Sequence, residues 1–430
     1  MSGAALPGVV FRLDLLVMEN DWTKVLGFPG YRVYQREIDE QKKHVTLWIR
    51  RKTGNRSLRC PECGRRVHEI HEVIERAVRD LPCFEYTTTV MVELYRVKCP
   101  DCGVKTEKVP QLPSKAPYSK RFEDTVGQAC ESASARQVAR RMGLAESTVR
   151  GIDLRYLERC EGSRRKAPLR HMGVDELYKG KRDKFLTVVC NLETGEPLWF
   201  GRERKQETLD EFFRTELTSR QRKGIEAACV DMWEPFRLSI GEWAPECRII
   251  YDKFHVMGHA NDAVDEVRKA EFFRQGREKR ELIKGKKWLL LSRWKNLTGE
   301  QRGVLNELFL LNRKVFKAYM LKESLEALWD YQYRGAMLNY LEKWIDQLRW
   351  QRLVPFEKLA DMLLKHLDGI ANYCLTKVRF GVVEAVNGNI RMLINRGRGY
   401  KNLRYLLLKA KRMAVLNVEF LAVQRVKKVA

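Results

Sequence analysis

The spacing of hydrophobic residues changes along the chain, and each change predicts a different kind of structure. Alternating apolar positions within 31–49 and the β-branched run at Glu85–Val97 predict strands. Residues 121–161 have helical spacing. Short apolar runs separated by turns follow between 171 and 256, and they give way to a long, charged helical stretch. We therefore expect a small β-rich region, then helices, then an α/β sheet followed by more helices.

Charge narrows the class of partner. The 430 residues include 81 Lys and Arg against 56 Asp and Glu, a formal net charge of +25. This excess favours a polyanionic partner, above all nucleic acid, and leaves a ribosomal or membrane-surface protein as the alternative.

The chain contains no uninterrupted apolar run of the roughly 18 residues that a membrane span needs. Its first Arg follows the N-terminal apolar residues, the reverse of a secretory signal. We expect a cytoplasmic protein with reduced thiols.

Two near-identical cysteine motifs predict a structural metal site. Cys60 and Cys63 lie in CPECG, and Cys99 and Cys102 lie in CPDCG. Four thiolates form the closed tetrahedral set typical of structural zinc, Zn²⁺, and the Gly of each motif permits a tight turn. Accidental turns or a redox dithiol are the alternatives. Cys83 is expected to be a buried thiol and not a fifth ligand, and the other six cysteines are expected in the core.

Residues 134–159 (SARQVARRMGLAESTVRGIDLRYLER) predict a helix-turn-helix. Ser134 is expected to cap a helix that ends at Met142, and Gly143 to supply the left-handed turn. The front of the second helix enters the major groove in this motif. The residues expected there are Glu146, Ser147, Thr148 and Arg150, and those expected on phosphates are Arg140, Arg141 and Arg155. An ordinary helical hairpin is the alternative.

Three carboxylates are candidates for a second metal site. Asp175 in HMGVDEL and Asp231 in IEAACVDMW are each expected to end an apolar strand, where an acid is costly unless it is paired or binds metal. Acids on adjacent strands can share divalent ions such as Mg²⁺ or Mn²⁺. Residues 371–430 are strongly basic and contain two acids, of which Glu384 is expected at the front of a helix. An ion pair between Glu384 and Arg379 is the alternative.

Asp252 in YDKFHV is a rival acid, because it also follows an apolar strand. We rank it below the other three and expect it to support the site without contacting the metal directly. Nearby His255 is expected either to orient a phosphate or to pack.

Together these motifs resemble those of bacterial insertion-sequence transposases of the DDE class, in the group with an N-terminal zinc-finger domain (the IS-L-three group). The resemblance covers nearly the whole chain. It is carried by the paired CPxCG motifs, the helix-turn-helix, GVDE, CVDMWEPF, IIYDKFHV and VVEAVNGNIR followed by RGRGYKN. The family's three carboxylates match Asp175, Asp231 and Glu384. The departures are Ala385, Asn387 and Asn389, which stand where members often have a Gly and paired Asn residues.

The resemblance implies an α/β RNase H-like fold interrupted by a helical insertion. It divides the chain into seven segments. These are a β-rich lead-in (1–57), a zinc-binding domain (58–108), a helix-turn-helix domain (120–162), the first part of the RNase H-like core (168–262), an all-helical insertion (263–370), the final helix of the core with a basic segment (371–412) and a tail (413–430).

The resemblance also implies metal-dependent cleavage and strand transfer of DNA without a protein nucleophile. The expected partners are double-stranded DNA, as terminal inverted repeats and target, and further copies of the chain in a homodimer or higher oligomer. The expected location is the bacterial nucleoid. The basic residues expected along the DNA path are Arg379, Arg391, Arg396, Arg398 and Lys401. Tryptophans of the insertion, such as Trp288 and Trp294, either stack on an unpaired base or pack in its core.

Two other functions remain open at this point. A zinc-containing helix-turn-helix regulator without catalysis would need no convergent carboxylates. A related nuclease would cut DNA without strand transfer.

Overall fold

The computed structural model describes residues 22–52, 58–180, 185–274, 280–281 and 283–415. Contacts divide the chain into two compact units, Met1–Gly162 and Ser163–Ala430. Within the described ranges, no helix is both long enough and apolar enough to cross a membrane.

A five-stranded sheet organises the first unit. Its neighbours in order are the first, second, sixth and fifth strands, and the seventh pairs with the sixth; the third and fourth form a ladder of their own. The seven strands are β1 (Tyr31–Asp39), β2 (His44–Arg51), β3 (Leu58–Arg59), β4 (Arg66–Val67), β5 (Ile70–Cys83), β6 (Tyr86–Cys99) and β7 (Gly103–Thr106). The strands expected from the sequence near 31–49 and 85–97 are therefore present.

This sheet spans two of the expected segments. Strand β2 of the lead-in pairs in parallel with β6, from His44↔Thr87 to Ile49↔Val92. Alternate side chains of β2 share one core with those of β6. Segments 1–57 and 58–108 thus share one core, because β6 completes the buried face of β2. A second, small cluster around the cysteine motifs lies within 58–108 alone.

The four motif cysteines meet where these strands end. One pair, Cys60 and Cys63, lies between β3 and β4. In the other pair, Cys99 is the last residue of β6, and Cys102 lies between β6 and β7. Their sulfur atoms all lie within 4.8 Å of one another, and the sulfurs of Cys63 and Cys99 are 3.6 Å apart. Backbone N–H groups, that of Cys63 foremost, lower the pKa of Cys60 to about 7. This favours the thiolate, which is the form that binds zinc.

The other thiols lie apart from this cluster. Cys83 is half-buried at the opposite end of the β5–β6 hairpin, where it pairs with Tyr86. Of the six cysteines expected in the core, Cys130, Cys190 and Cys229 are buried, and Cys160, Cys247 and Cys374 are half-buried. A closed four-thiol set with a remote fifth Cys fits structural zinc.

Three helices follow these strands along the chain: α1 (Lys120–Ser132), α2 (Ala135–Met142) and α3 (Glu146–Gly162). Ser134 caps α2 in a capping box with Gln137, and Gly143 ends it at φ 60°. Both features were expected. The apolar residues of the helix-turn-helix lie in one hydrophobic cluster, which includes Ala139, Met142, Leu144, Val149 and Ile152.

A second five-stranded sheet forms the centre of the second unit. Its strands are β8 (His171–Tyr178), β9 (Phe185–Asn191), β10 (Glu196–Arg202), β11 (Ala227–Val230) and β12 (Arg248–Tyr251). Their order is β10-β9-β8-β11-β12. β8, β9 and β10 are antiparallel neighbours, whereas β11 is parallel to both β8 and β12.

Helices pack on both faces of this sheet and extend beyond it. Those described in the second unit are α4 (Gln206–Thr215), α5 (Ser219–Lys223), α6 (Glu234–Trp243), α7 (Lys253–Arg274), α8 (Lys287–Leu291), α9 (Gly299–Leu311), α10 (Arg313–Glu326), α11 (Arg334–Asp346), α12 (Val354–Lys365), α13 (Leu367–Ala371), α14 (Tyr373–Thr376) and α15 (Val382–Gly397), and residues 403–415 are also helical. Helix α7 runs across the expected boundary at 262/263, and the tail expected at 413–430 lies outside the described residues from 416 onward.

The tryptophans of the helical insertion separate into two groups. Trp329 and Trp344 are 5% and 1% exposed, as expected for core residues. Trp288 and Trp350 are 75% and 85% exposed, and Trp294 is half-buried.

Helix α15 packs closely on β8 because the strand has a glycine at the contact. A Cβ atom at Gly173 would lie 2.6 Å from Cγ2 of Val383 and 2.7 Å from Cδ2 of Leu192. Val383, Val386 and Ile390 of α15 are buried with Leu177 and Val188 in the core on this face of the sheet. The side of β8 that carries residues 173, 175 and 177 therefore faces α15, since alternate residues of a strand share a face.

We expect the cysteine cluster to bind one zinc per chain, because four thiolates complete its tetrahedral coordination. Metal analysis of the purified chain should find about one zinc. Replacing Cys60 and Cys63 together by Ser should abolish this zinc. The matched control, Cys83→Ser, should retain it. Full zinc content in the double variant would show that the metal is bound elsewhere.

The close contact at Gly173 predicts a specific instability. Gly173→Ala should lower the free energy of unfolding by about 1–3 kcal/mol, the usual cost of overpacking, because the added methyl group would push α15 away from β8. Gly388→Ala in the same helix is the control: it has open space within 4 Å, so Ala should leave stability unchanged or raise it by up to about 1 kcal/mol. Thermal unfolding of the two variants measures the difference, and equal effects would contradict the packing argument.

Candidate active site

Three aspartates lie side by side at one edge of the second sheet. Asp231 and Asp252 directly follow β11 and β12, as expected. Asp175 lies inside β8, which corrects the expectation that it ends the strand: β9 pairs with β8 as far as Tyr178. On its other side, however, β8 pairs with β11 only as far as Gly173. Asp175 thus lies within the part of β8 that pairs with β9, but two residues past the last residue of β8 that pairs with β11.

The strand register puts these aspartates at one level. Gly173 pairs with Cys229, so Asp175 stands level with Asp231 two residues later. Val230 pairs with Tyr251, so Asp231 stands level with Asp252. Neighbouring strands are about 4.8 Å apart, and three carboxylates therefore meet at the edge where the parallel strands end.

Helix α15 brings a fourth acid to the same edge. Asn387 Nδ2 donates to Asp175 Oδ2 at 2.7 Å, and Glu384 lies one helical turn before Asn387. Burial raises the pKa of Asp252, and the negative charges of Asp175 and Glu384 raise it further. Glu384 is exposed, and among the described residues it forms no ion pair, with Arg379 or any other cation. The amide of Asn387 anchors this helix to the strand that carries Asp175.

His255 lies between two of the aspartates. Its Nε2 is 3.5 Å from Asp175 Oδ1, and its Nδ1 is 3.8 Å from Asp231 Oδ1. The hydrogen bond to Asp175 and the charge of Asp231 raise the pKa of His255 to about 9 despite partial burial. At neutral pH it is therefore an imidazolium that offsets two carboxylates. His255 was expected either to orient a phosphate or to pack. Its contacts with two carboxylates are polar and not those of a residue that only packs.

Arg204 is a member of the site that the sequence did not reveal. Its guanidinium forms ion pairs with Glu176 and with Asp231 Oδ2, the latter at 3.2 Å. It also lies over the ring of Trp233, 4.1 Å from the centroid. Burial raises the pKa of Glu176 to about 7, although the charge of Arg204 opposes this. The sequence offered one indication of such a partner, the acid Glu176 next to Asp175. A buried acid needs a cation, but only the fold identifies which cation it is.

The balance of charge at this edge is negative. Two cations, Arg204 and His255, face five acids in a chain whose net charge is +25. The five acids are Asp175, Glu176, Asp231, Asp252 and Glu384. Within the described residues, the four cysteines alone form a group of three or more metal-binding side chains with ligand atoms all within 4.8 Å. No three of the carboxylates meet this condition within the described residues.

The residues expected to contact DNA lie mostly at the surface. In the first unit Arg140, Arg141, Ser147 and Arg150 are exposed, and Thr148 is half-buried. Arg150 forms a surface ion pair with Glu146 at 2.5 Å, a contact of little energetic weight. In the second unit the exposed residues are Arg379, Arg391, Arg398 and Lys401, and Arg396 is half-buried.

Arg155 differs from the expectation that it contacts phosphate. Its guanidinium pairs with Glu123 at 2.5 Å, and Arg159 pairs with the other oxygen of the same carboxylate at 2.6 Å. Glu123 is fully buried. Because a buried carboxylate needs compensating charge, Arg155 stabilises the three-helix packing instead of facing outward.

Three family models match the chain. A model described as a transposase matches residues 172–410. The helix-turn-helix domain of transposase family ISL3 matches residues 107–157. The zinc-finger of the transposases of IS204, IS1001, IS1096 and IS1165 matches residues 56–102. The helix-turn-helix and the zinc ribbon predicted from the sequence are both confirmed.

Known proteins show the same similarity over most of the chain. The transposase for insertion sequence element IS1001 of Bordetella parapertussis is 30% identical over 401 residues, which cover 92% of this chain and 97% of that protein. The transposase for insertion sequence element IS1557 of Mycobacterium tuberculosis is 26% identical over 372 residues, or 80% and 83% of the two chains. With zinc ribbon, helix-turn-helix and carboxylate-bearing sheet in the matching order, this chain belongs to the ISL3 family of insertion-sequence transposases.

Proposed function

We propose that the chain cleaves DNA at the terminal inverted repeats of its own insertion sequence and joins the ends to target DNA, using divalent ions held by Asp175, Asp231 and Glu384. The observation that carries this proposal is the shared level of Asp175 and Asp231 on adjacent parallel strands, with Glu384 one turn from the Asn387 contact to Asp175. A regulator without catalysis has no use for this arrangement.

We also propose that the second sheet is an RNase H-like core interrupted by the helical insertion. The strand order supports this: numbered within the unit, it is third-second-first-fourth-fifth, with the first three antiparallel and the last two parallel to the first. The segment between β12 and α15 is helical in its described parts. The division of the core into 168–262 and 371–412, around 263–370, belongs to the same proposal.

The ligand set fits Mg²⁺ or Mn²⁺. Carboxylate oxygens are hard donors, which Mg²⁺ prefers, and Mg²⁺ needs few protein ligands. When bound, two such ions lower the pKa of an attacking water or 3′-hydroxyl and stabilise the leaving oxygen. No nucleophilic side chain is required for this chemistry.

The side chains around the three carboxylates hold them in position. Asn387 fixes one oxygen of Asp175, and Arg204 fixes one oxygen of Asp231. Asp252 accepts the Phe254 N–H at 2.8 Å with one oxygen, and we assign it to shaping the site and not to binding an ion. His255 lies beside Asp175 and Asp231, where it can contact a DNA phosphate.

DNA contacts are proposed for both units. In the first, the exposed front of α3, including Ser147, Thr148 and Arg150, reads the terminal repeat, and Arg140 and Arg141 bind phosphates. In the second, the basic residues 379–401 guide the strand towards the carboxylates. Two DNA ends must be joined to one target, so we propose that a homodimer or higher oligomer acts on DNA.

Glu384→Gln is expected to lower cleavage of duplex DNA carrying the element's terminal repeats by at least about 100-fold. A direct ligand should matter more than the outer partners, whose loss typically costs about 10–100-fold. Binding of the same DNA should persist, because the helix-turn-helix is unchanged. The control is Glu342→Gln, an exposed acid of the insertion, which should cleave normally. Both activities are measured with Mg²⁺ and with Mn²⁺, and normal cleavage by Glu384→Gln would refute the assignment.

A pair of arginine variants separates base contact from folding in the first unit. Arg150→Ala should weaken binding to the terminal repeats by about tenfold or more, the range of one base contact, without lowering stability. Arg155→Ala should lower the free energy of unfolding by about 1–3 kcal/mol, because buried Glu123 loses one of its two cations. Gel-shift titrations and thermal unfolding test both variants. A loss of affinity for Arg155→Ala at unchanged stability would mean that this residue reaches DNA after all.

A further inference from the structure

The tip of the β5–β6 hairpin carries an aromatic side chain that the fold leaves uncovered. Cys83 pairs with Tyr86, so Phe84 and Glu85 alone form the loop between the two strands. The side chain of Phe84 is 96% exposed, the largest fraction among the exposed large hydrophobic residues of the described chain. A ring in this position contributes no packing to the sheet, although aromatic rings are the side chains that gain most when a partner covers them.

The backbone of Phe84 is also unusual for its residue type. Its φ is 56°, in the left-handed region where a side chain is strained and where hairpin loops usually have Gly or Asn. Among the six non-glycine residues of positive φ in the described ranges, Phe84 alone is apolar. The turn itself would form more easily with glycine, so the turn does not account for the ring. Strained residues of this kind cluster at functional sites.

The hairpin tip lies beside the helix-turn-helix. Arg79 of β5 donates from Nη2 to the backbone oxygen of Met142, the last residue of α2, at 2.8 Å. Leu81 packs against the helical cluster that contains Met142 and Leu144. Phe84 follows Leu81 by three residues, at most about 10 Å of extended chain. Helix α3 begins two residues after Leu144, so the hairpin tip and the front of α3 extend from the same cluster.

The charges near the tip suit a DNA partner. Arg140 and Arg141 are exposed in the last turn of α2, directly before the residue that Arg79 contacts. Glu85, the acid of the loop, is paired with Lys43 at 3.1 Å, which offsets its charge. Proteins that kink DNA combine such cations with an apolar wedge, often Phe, that enters between two base pairs from the minor groove.

We propose that Phe84 inserts from the minor groove between two base pairs of the terminal repeat, next to the major-groove site of α3. The inference rests on the proposed contact of α3 with DNA and deepens it. A wedge at this point unstacks one base step and bends the duplex. Because pyrimidine–purine steps unstack most easily, the ring selects such a step at a position where no base edge needs to be hydrogen-bonded.

Fluorescence of 2-aminopurine detects this unstacking independently of cleavage. The probe is a set of duplexes carrying the element's terminal repeat, each with one 2-aminopurine at a different position. The full chain is bound to each duplex without added divalent ions, so that no strand is cut. We expect the fluorescence to rise at one or two adjacent positions that flank the footprint of the helix-turn-helix. Bound duplexes that show no rise at any position overturn the proposal.

Removing the ring separates DNA contact from folding. Phe84→Gly should keep or raise the melting temperature, because glycine adopts positive φ without strain. The same variant should lose the fluorescence rise and bind the repeat about tenfold or more weakly, within the range that stacking a base on an aromatic ring contributes. The matched control is Val73→Ala, since Val73 is another exposed apolar residue of β5, 53% exposed and remote from the tip. It should retain both the rise and the affinity.

Two other results for Phe84→Gly would contradict the proposal. A lower melting temperature would mean that the ring stabilises the fold. A change in oligomeric state by light scattering, with the fluorescence rise retained, would mean that the ring contacts a second copy of the chain.

The wedge and the cleavage mechanism can fail separately. If the Phe84-dependent rise is observed but the repeats are not cleaved in Mg²⁺ or Mn²⁺, the wedge stands and the cleavage mechanism falls. If the wild-type chain cleaves the repeats but unstacks no base step, the wedge falls and the cleavage mechanism stands.

Discussion

The contact between β8 and α15 is the constraint on which the carboxylate edge depends. Gly173 lets the helix approach so closely that a single methyl group would collide with Val383, and Asn387 then reaches Asp175. These contacts bring Glu384 to the sheet from a segment far along the chain. The helical insertion can therefore fold between β12 and α15 without disturbing the site, because the two sides of the gap are joined by packing and not by chain continuity.

Electrostatic compensation is the second theme of the second unit. Like charges at one edge repel, and burial of Glu176 and Asp252 makes their ionisation more costly. Arg204 and His255 offset part of this cost. The same principle operates in the first unit, where buried Glu123 is held by two arginines. A chain rich in Lys and Arg thus uses some of its cations internally, so that not every arginine near a DNA-binding motif faces DNA.

Much of the fold could be predicted because local patterns act over short distances. The CPxCG motifs indicated a thiolate cluster, and Ser134 and Gly143 gave the limits of the first helix of the helix-turn-helix, since caps and left-handed turns depend on a few neighbouring residues. Strand positions near Asp231 and Asp252 were also predictable from apolar runs. The boundary at residue 57 divides the core that β2 and β6 share, because their pairing is a long-range contact that no local pattern encodes.

The sequence by itself determined the family, the chemistry available and three of the acids proposed as ligands, because residue types and motif order carry that information directly. The tertiary structure decided which of these groups meet. The register of the parallel strands put Asp175 level with Asp231 and Asp252. The fold also placed Arg204 beside Asp231, a contact that no sequence motif predicted. It also assigned Arg155 to a buried acid. Each of these outcomes depends on contacts between residues that are far apart in the sequence. Only the packing of the folded chain determines the distances between such residues.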